Sequence, residues 1–159
     1  MIFPIFTRNA GIDSYQFENG FKLIMAYYPK APAARVELVV RVGSKNEGYG
    51  QSGMSHLLEH MLFKSTLAVP DVKAALVDFA LEWNGYTTAD STHYHENVSF
   101  GNVLQALALE YSRLLEASFT EEDLRTEMTV VRNEMELADS NTARSLLNTL
   151  SRGVHDFHG

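Results

Sequence analysis

Alternation and periodicity along the chain predict strands first and helices later. Residues 21–28 form an apolar run closed by Pro29, and residues 35–42 alternate apolar and polar side chains. Both read as strands, with Lys30, Ala31 and Pro32 as the turn between them. Gly43 and Ser44 end the second strand, and a glycine-rich stretch over 47–53 leads into a helix over about 52–64. Pro70 suits the first turn of a second helix. There Val72, Ala75, Leu76, Phe79, Ala80 and Trp83 keep the i, i+3, i+4 rhythm of an amphipathic helix, and Asn84-Gly85 stops it. Residues 92–100 read as a strand, Gly101-Asn102 breaks it, and 103–117 is a third amphipathic helix. Thr120 before Glu121, Glu122 and Asp123 has the character of a helix N-terminus, a capping hydroxyl followed by acids at the positive end of the dipole. A long helix is expected from about 121 to beyond 147.

That order predicts an α+β fold, a mainly antiparallel sheet with helices packed on one face. Three or four strands are few for so much helix. Residues 1–159 are therefore expected to form the N-terminal portion of an incomplete domain, with further strands after Gly159. No internal repeat, low-complexity stretch or linker interrupts it.

Composition narrows the classes. The 159 residues are 45% hydrophobic and 21% charged, ordinary for a globular domain. A net charge of −7 argues against a nucleic-acid partner. With no cysteine, a metal would have to be held by His, Asp or Glu. Residues 1–8 show neither a basic n-region nor a sustained apolar run, so no signal peptide or membrane span is expected and the cytoplasm is the default location.

The chemistry concentrates in His56-Leu57-Leu58-Glu59-His60. On a helix, residues four apart share a face, so both imidazoles can reach one metal ion. Glu59 borders that face and can reach a water on the metal, the inverted form of the zinc-peptidase motif. Surface helices also carry solvated His and Glu, so the motif alone is not decisive. A third ligand must come from another element. The long helix offers Glu121, Glu122, Asp123, Glu127, Glu134, Glu136 and Asp139. Glu127 and Glu134 are seven residues apart on nearly one face, beside the apolar Met128, Val130 and Val131. A carboxylate at the edge of a buried stripe is costly unless it is paired or binds metal. Glu136 is out of phase and expected in solvent. Residue chemistry leaves Glu127 and Glu134 unranked. His93 and His95, on one face of a strand and followed by Glu96, are a rival cluster, more simply explained as a polar strand face. His155 and His158 are expected as solvated loop residues.

Several segments together resemble a known family. Gly43-Ser44, Glu47 and Gly53, then His56-Leu-Leu-Glu-His-Met-Leu-Phe-Lys-Ser-Thr66, are similar to the pitrilysin-like zinc metallopeptidases, which include insulin-degrading enzyme and the mitochondrial processing peptidases. Asn84-Gly85-Tyr86-Thr87 with Thr92 and Tyr94 resembles the family's N-A-x-T and T-x-Y elements, and Glu127 to Glu134 its E-x-x-V-V-x-x-E helix. The resemblance runs from about Phe17 to the end of the chain. Ser65 and Gly85 depart from the family's usual glycine and alanine.

The resemblance implies a zinc endopeptidase. It makes His56, His60 and Glu134 the ligands of one Zn²⁺ per chain and Glu59 the catalytic base and acid. Glu127 becomes a supporting catalytic-site carboxylate. It implies a peptide or unfolded-protein substrate added as a strand at the sheet edge, near Asn84, Tyr86 and Thr87. It also implies a second homologous domain or subunit that completes the site; the charge and the lack of a membrane span leave no nucleic-acid or membrane partner expected. The family contains partners that keep the fold and lose the motif, so a non-catalytic binding or assembly subunit is the alternative. All the motif positions are filled here.

Overall fold

The computed structural model describes residues 5–9 and 11–140. It divides between Pro32 and Ala33 into two units. The expected helix past residue 140, His155, His158 and the side chain of Asp139 lie outside the described residues. Among the described residues, no helix is long and apolar enough to cross a membrane.

The first unit is an antiparallel meander of β1 (Ile5–Asn9), β2 (Ile12–Gln16) and β3 (Lys22–Ala26), in that order. Only β3 was expected, and over a longer span. β3 was also expected to pair with the strand that follows it. Instead the turn in which Gly20 N–H donates to the Phe17 carbonyl at 3.0 Å folds β3 back onto β2. The next strand joins a different sheet.

The second unit holds β4 (Ala34–Val40), β5 (Ala80–Thr87) and β6 (Thr92–Val98), with β6 in the middle and antiparallel to both neighbours. Among the described residues, four α-helices accompany them: α1 (Met54–Met61), α2 (Val72–Phe79), α3 (Val103–Leu115) and α4 (Glu121–Ser140). Period-two burial orients the sheet. Val36 and Leu38 of β4 turn inward, as do Tyr94, Glu96 and Val98 of β6. They meet Leu62 and Phe63 after α1, Val72, Leu76 and Phe79 of α2, and Ala106 and Leu109 of α3. The other face is polar. His93 and Asn97 lie across from Val39 and Arg35 of β4 and from Tyr86 and Glu82 of β5. The fold is α+β, with helices on one face of an antiparallel sheet.

One boundary differs from expectation. Asp71 caps α2, its carboxylate accepting from Ala74 N–H at 2.9 Å, with Pro70 just before it. The helix ends at Phe79, and Ala80 is already extended (φ −90°, ψ 142°). Ala80 and Trp83 continue the helical rhythm in sequence but sit on β5. Ladder hydrogen bonds to β6, with a bulge between Ala80 and Glu82, override the helical pattern. Asn84-Gly85 is mid-strand, not a helix stop.

Arg113 is fully buried between two carboxylates. It lies 3.4 Å from Glu96 and 3.1 Å from Glu110, and its guanidinium covers the rings of Phe63 (4.6 Å) and Tyr94 (5.1 Å). Burial, and the neighbouring Glu110, push the Glu96 carboxyl up to about 9. The cluster thus holds Glu96 protonated beside the Arg113 guanidinium.

Candidate metal centre

The helix that carries the motif is held at its start by a remote side chain. Gly53 sits at φ 86°, a left-handed conformation that suits glycine. The two carboxylate oxygens of Glu47 accept from Gly53 N–H and Ser55 N–H, each at 2.8 Å, and take up free donors of the first turn. Burial pushes Glu47 up, but these amides outweigh it and hold the carboxyl below its usual range. Glu47→Ala is expected to cost about 1 kcal/mol of stability, as loss of a helix cap does. Thermal unfolding beside Glu47→Gln, which keeps one acceptor, checks this.

One turn apart on α1, His56 and His60 bring their Nε2 atoms to 3.2 Å. Glu134 of α4 places Oε2 3.5 Å from the His56 nitrogen and 3.6 Å from that of His60. The start of α4 is fixed by a reciprocal cap. Thr120 Oγ1 accepts from Asp123 N–H at 3.1 Å, and Asp123 accepts from Thr120 N–H at 2.9 Å. Two turns before Glu134, Glu127 is 5% exposed and sits behind His60. Its Oε2 accepts from His60 Nδ1 at 2.9 Å, and its Oε1 lies 2.6 Å from Lys64 Nζ. Burial pushes Glu127 up, but the Lys64 ammonium and His60 outweigh it and keep the carboxyl ionised. An ionised carboxylate only accepts, so His60 carries its proton on Nδ1 and turns the Nε2 lone pair toward His56 and Glu134.

Glu59 faces inward and is 6% exposed. Its Oε2 accepts from the Thr87 hydroxyl at 2.7 Å. The cleft before these groups, about 300 Å³, is also bordered by Phe63, Lys73, Trp83, Asn84 and Gly85. The donor set suits a metal ion: two imidazole nitrogens 3.2 Å apart and a half-exposed carboxylate beside them, with a second carboxylate within reach. His56, Glu59 and His60 likewise bring one ligand atom each within 4.8 Å of one another.

The other sequence candidates fall elsewhere. Asn84 borders the cleft, and its Oδ1 accepts from Gly85 N–H at 2.9 Å. Tyr86 lies on the far face of the sheet, stacked on His93 with ring centroids 4.4 Å apart. His93 is satisfied by Ser91 (2.8 Å) and Glu37 (2.9 Å). His95 is buried, which lowers its pKa, and its Nδ1 has no partner among the described residues. Glu96 points to the opposite face, so His93, His95 and Glu96 do not converge. Glu121 pairs with Arg125 on the surface at 2.7 Å. The cap by Glu47, the Lys64 contact and the Thr87 bond were not anticipated as parts of the site. Helix-start geometry could have flagged Glu47; the other two depend on tertiary packing.

Most of the chain is similar to known proteins. The family model described as Insulinase (Peptidase family M16) matches residues 22–156. An uncharacterised zinc protease of Mycobacterium leprae is 29% identical over 141 residues, covering 87% of this chain and 32% of that protein. The crystal structure of a protease from Helicobacter pylori superposes with a TM-score of 0.76 at 28% identity, over 82% of this chain and 32% of that one. Pitrilysin shares the fold, with a TM-score of 0.76 at 19% identity over 87% of this chain and 16% of that one. The chain spans about a third of the length of the curated relatives it matches.

Proposed function

The chain belongs to the insulinase family of peptidases, family M16, and on that premise we propose that it carries the metal site of a zinc-dependent endopeptidase. The observation that carries the proposal is the convergence of the His56 and His60 Nε2 atoms with Glu134 Oε2 within 3.6 Å. These three residues would hold one Zn²⁺. Zn²⁺, when bound, supplies Lewis acidity toward water and toward the scissile carbonyl. Two neutral imidazoles and one carboxylate leave the loaded site with a charge of about +1, which favours an oxyanion. Glu127 fixes the His60 tautomer and Lys64 keeps Glu127 charged. Glu59 takes a proton from the attacking water as its oxygen adds to the carbonyl carbon. The same carboxyl returns that proton to the amine nitrogen as the C–N bond breaks.

A peptide substrate adds as a strand along the outer edge of β5. Gly85 N–H points to that edge, where the Asn84 side chain covers it and an incoming carbonyl can replace it. Residues 1–159 are the N-terminal portion of the peptidase domain. A second homologous domain or subunit completes the substrate site. Exposed apolar side chains along α3, Leu104, Leu107, Tyr111 and Leu114, support such a further packing partner.

The test is hydrolysis of an unfolded protein by the chain together with the domain or subunit that completes it, before and after chelation and zinc return. Turnover lost on chelation and restored by zinc is expected. Glu134→Gln is expected to lower zinc affinity about tenfold or more, and Glu127→Gln less. Equal metal affinity in the parent and Glu134→Gln would remove Glu134 from the ligand set.

A further inference from the structure

We propose that Thr87 is a positioning residue for Glu59: its hydroxyl grips one carboxylate oxygen so that the other alone faces the cleft and carries the proton. The inference rests on the peptidase reading and gives Thr87 a role different from the substrate contact that the family resemblance implies.

Three contacts define the grip. Thr87 Oγ1 donates to Glu59 Oε2 at 2.7 Å. Behind it, Thr92 Oγ1 donates to the Val42 carbonyl at 2.9 Å and lies 3.5 Å from Thr87 Oγ1. With its proton spent on Val42, Thr92 offers Thr87 a lone pair at long range only. Glu59 is thus the short acceptor for the Thr87 proton. Thr87 and Thr92 are directly paired across β5 and β6, and both are β-branched, so the hydroxyls stand on stiff side chains of a paired ladder.

The free oxygen has a cleared approach. A Cβ on Gly85 would lie 3.0 Å from Glu59 Oε1 and 2.8 Å from Phe63 Cε2. Glycine at this position leaves Oε1 room beside the Phe63 ring, on the side where the cleft opens. When Oε1 takes a proton from the attacking water, Oε2 becomes the carbonyl oxygen of the acid and keeps the Thr87 hydrogen bond. The proton is therefore held on Oε1, the atom that faces the leaving amine. No other donor within hydrogen-bond distance of the Glu59 carboxylate is recorded among the described residues.

The test uses the chain together with the domain or subunit that completes it, carrying Thr87→Val, which keeps shape and branching and removes the hydroxyl, or Thr87→Ser, which returns it. In turnover of an unfolded protein, Thr87→Val is expected to lower kcat about tenfold to a hundredfold. KM, zinc content and melting temperature should stay at the parent values, and Thr87→Ser should recover most of the rate. A substrate-contact role would raise KM instead, and a purely structural role would lower the melting temperature. Crystal structures of the parent and both variants give a readout independent of turnover. Glu59 should keep one orientation in the parent and Thr87→Ser and lose it in Thr87→Val. An unchanged kcat, or an unchanged Glu59 orientation in Thr87→Val, overturns the inference. A parent protein that shows no turnover under zinc even when completed by its second domain or subunit overturns the peptidase reading instead, and the crystal structures then decide the role of Thr87.

Discussion

Replacing Glu59 with Gln is expected to lower peptide hydrolysis by about a thousandfold while zinc content and melting temperature stay at the parent values. The substitution is nearly isosteric, and the amide oxygen can still accept the Thr87 hydrogen bond that holds the carboxylate at 2.7 Å. What is lost is the ability to take a proton from water and return it to the amine. Zinc titration and turnover on the same preparation separate the two roles open to this residue. Glu59 stands close enough to His56 and His60 to serve as a ligand. Retained zinc with lost turnover marks a proton carrier; lost zinc marks a ligand and shifts Glu134 to another part.

The second large effect lies in the core. Arg113→Met is expected to destabilise the protein by about 3–5 kcal/mol, the usual consequence of leaving one member of a buried ion pair alone. Arg113, Glu96 and Glu110 are all buried, and the guanidinium is the cation between two carboxyls. Methionine fills much of the volume over Phe63 and Tyr94, so the loss reads out the charge. Phe63 also borders the cleft, so a looser core there should disturb the site. Urea unfolding measures the effect, and a loss below about 1 kcal/mol contradicts the assignment.

The same cluster sets a pH dependence. Glu96 keeps its proton in the folded protein up to about 9, against an ordinary 4.5. An unfolded chain gives that proton up at lower pH, so the Glu96 contribution to stability is fully present below about pH 4.5 and is lost as pH rises toward 9. Glu96→Gln, permanently neutral, is expected to flatten the decline in melting temperature across that range. Glu47 and Glu127 act oppositely, being held low, and their contribution is lost at acid pH.

The motif helix and the capped start of α4 were legible because both are local. His56, Glu59 and His60 share a face by helical geometry alone, and Thr120 and Asp123 bond within one turn. The stretch 80–87 was misread because Ala80 and Trp83 fit the helical period while Trp83, Gly85 and Thr87 also alternate as a strand. Pairing with β6, the next strand of a hairpin, decided between them. The hairpin of β1 and β2 was missed for a related reason: each segment is five residues long and its sequence shows no clean alternation of polar and apolar residues. Glu127 and Glu134 could not be ranked because they share one face of α4. Their depth depends on how α4 crosses α1, which leaves one buried behind His60 and the other half-exposed beside both imidazoles.

The most direct measurement is zinc stoichiometry, by elemental analysis after dialysis against metal-free buffer. The account predicts about one zinc per chain in the parent and in Glu59→Gln, and much less in a His56→Ala, His60→Ala double variant. A folded parent chain that holds no zinc even after zinc is added back would contradict it and leave a binding or assembly role for this fold.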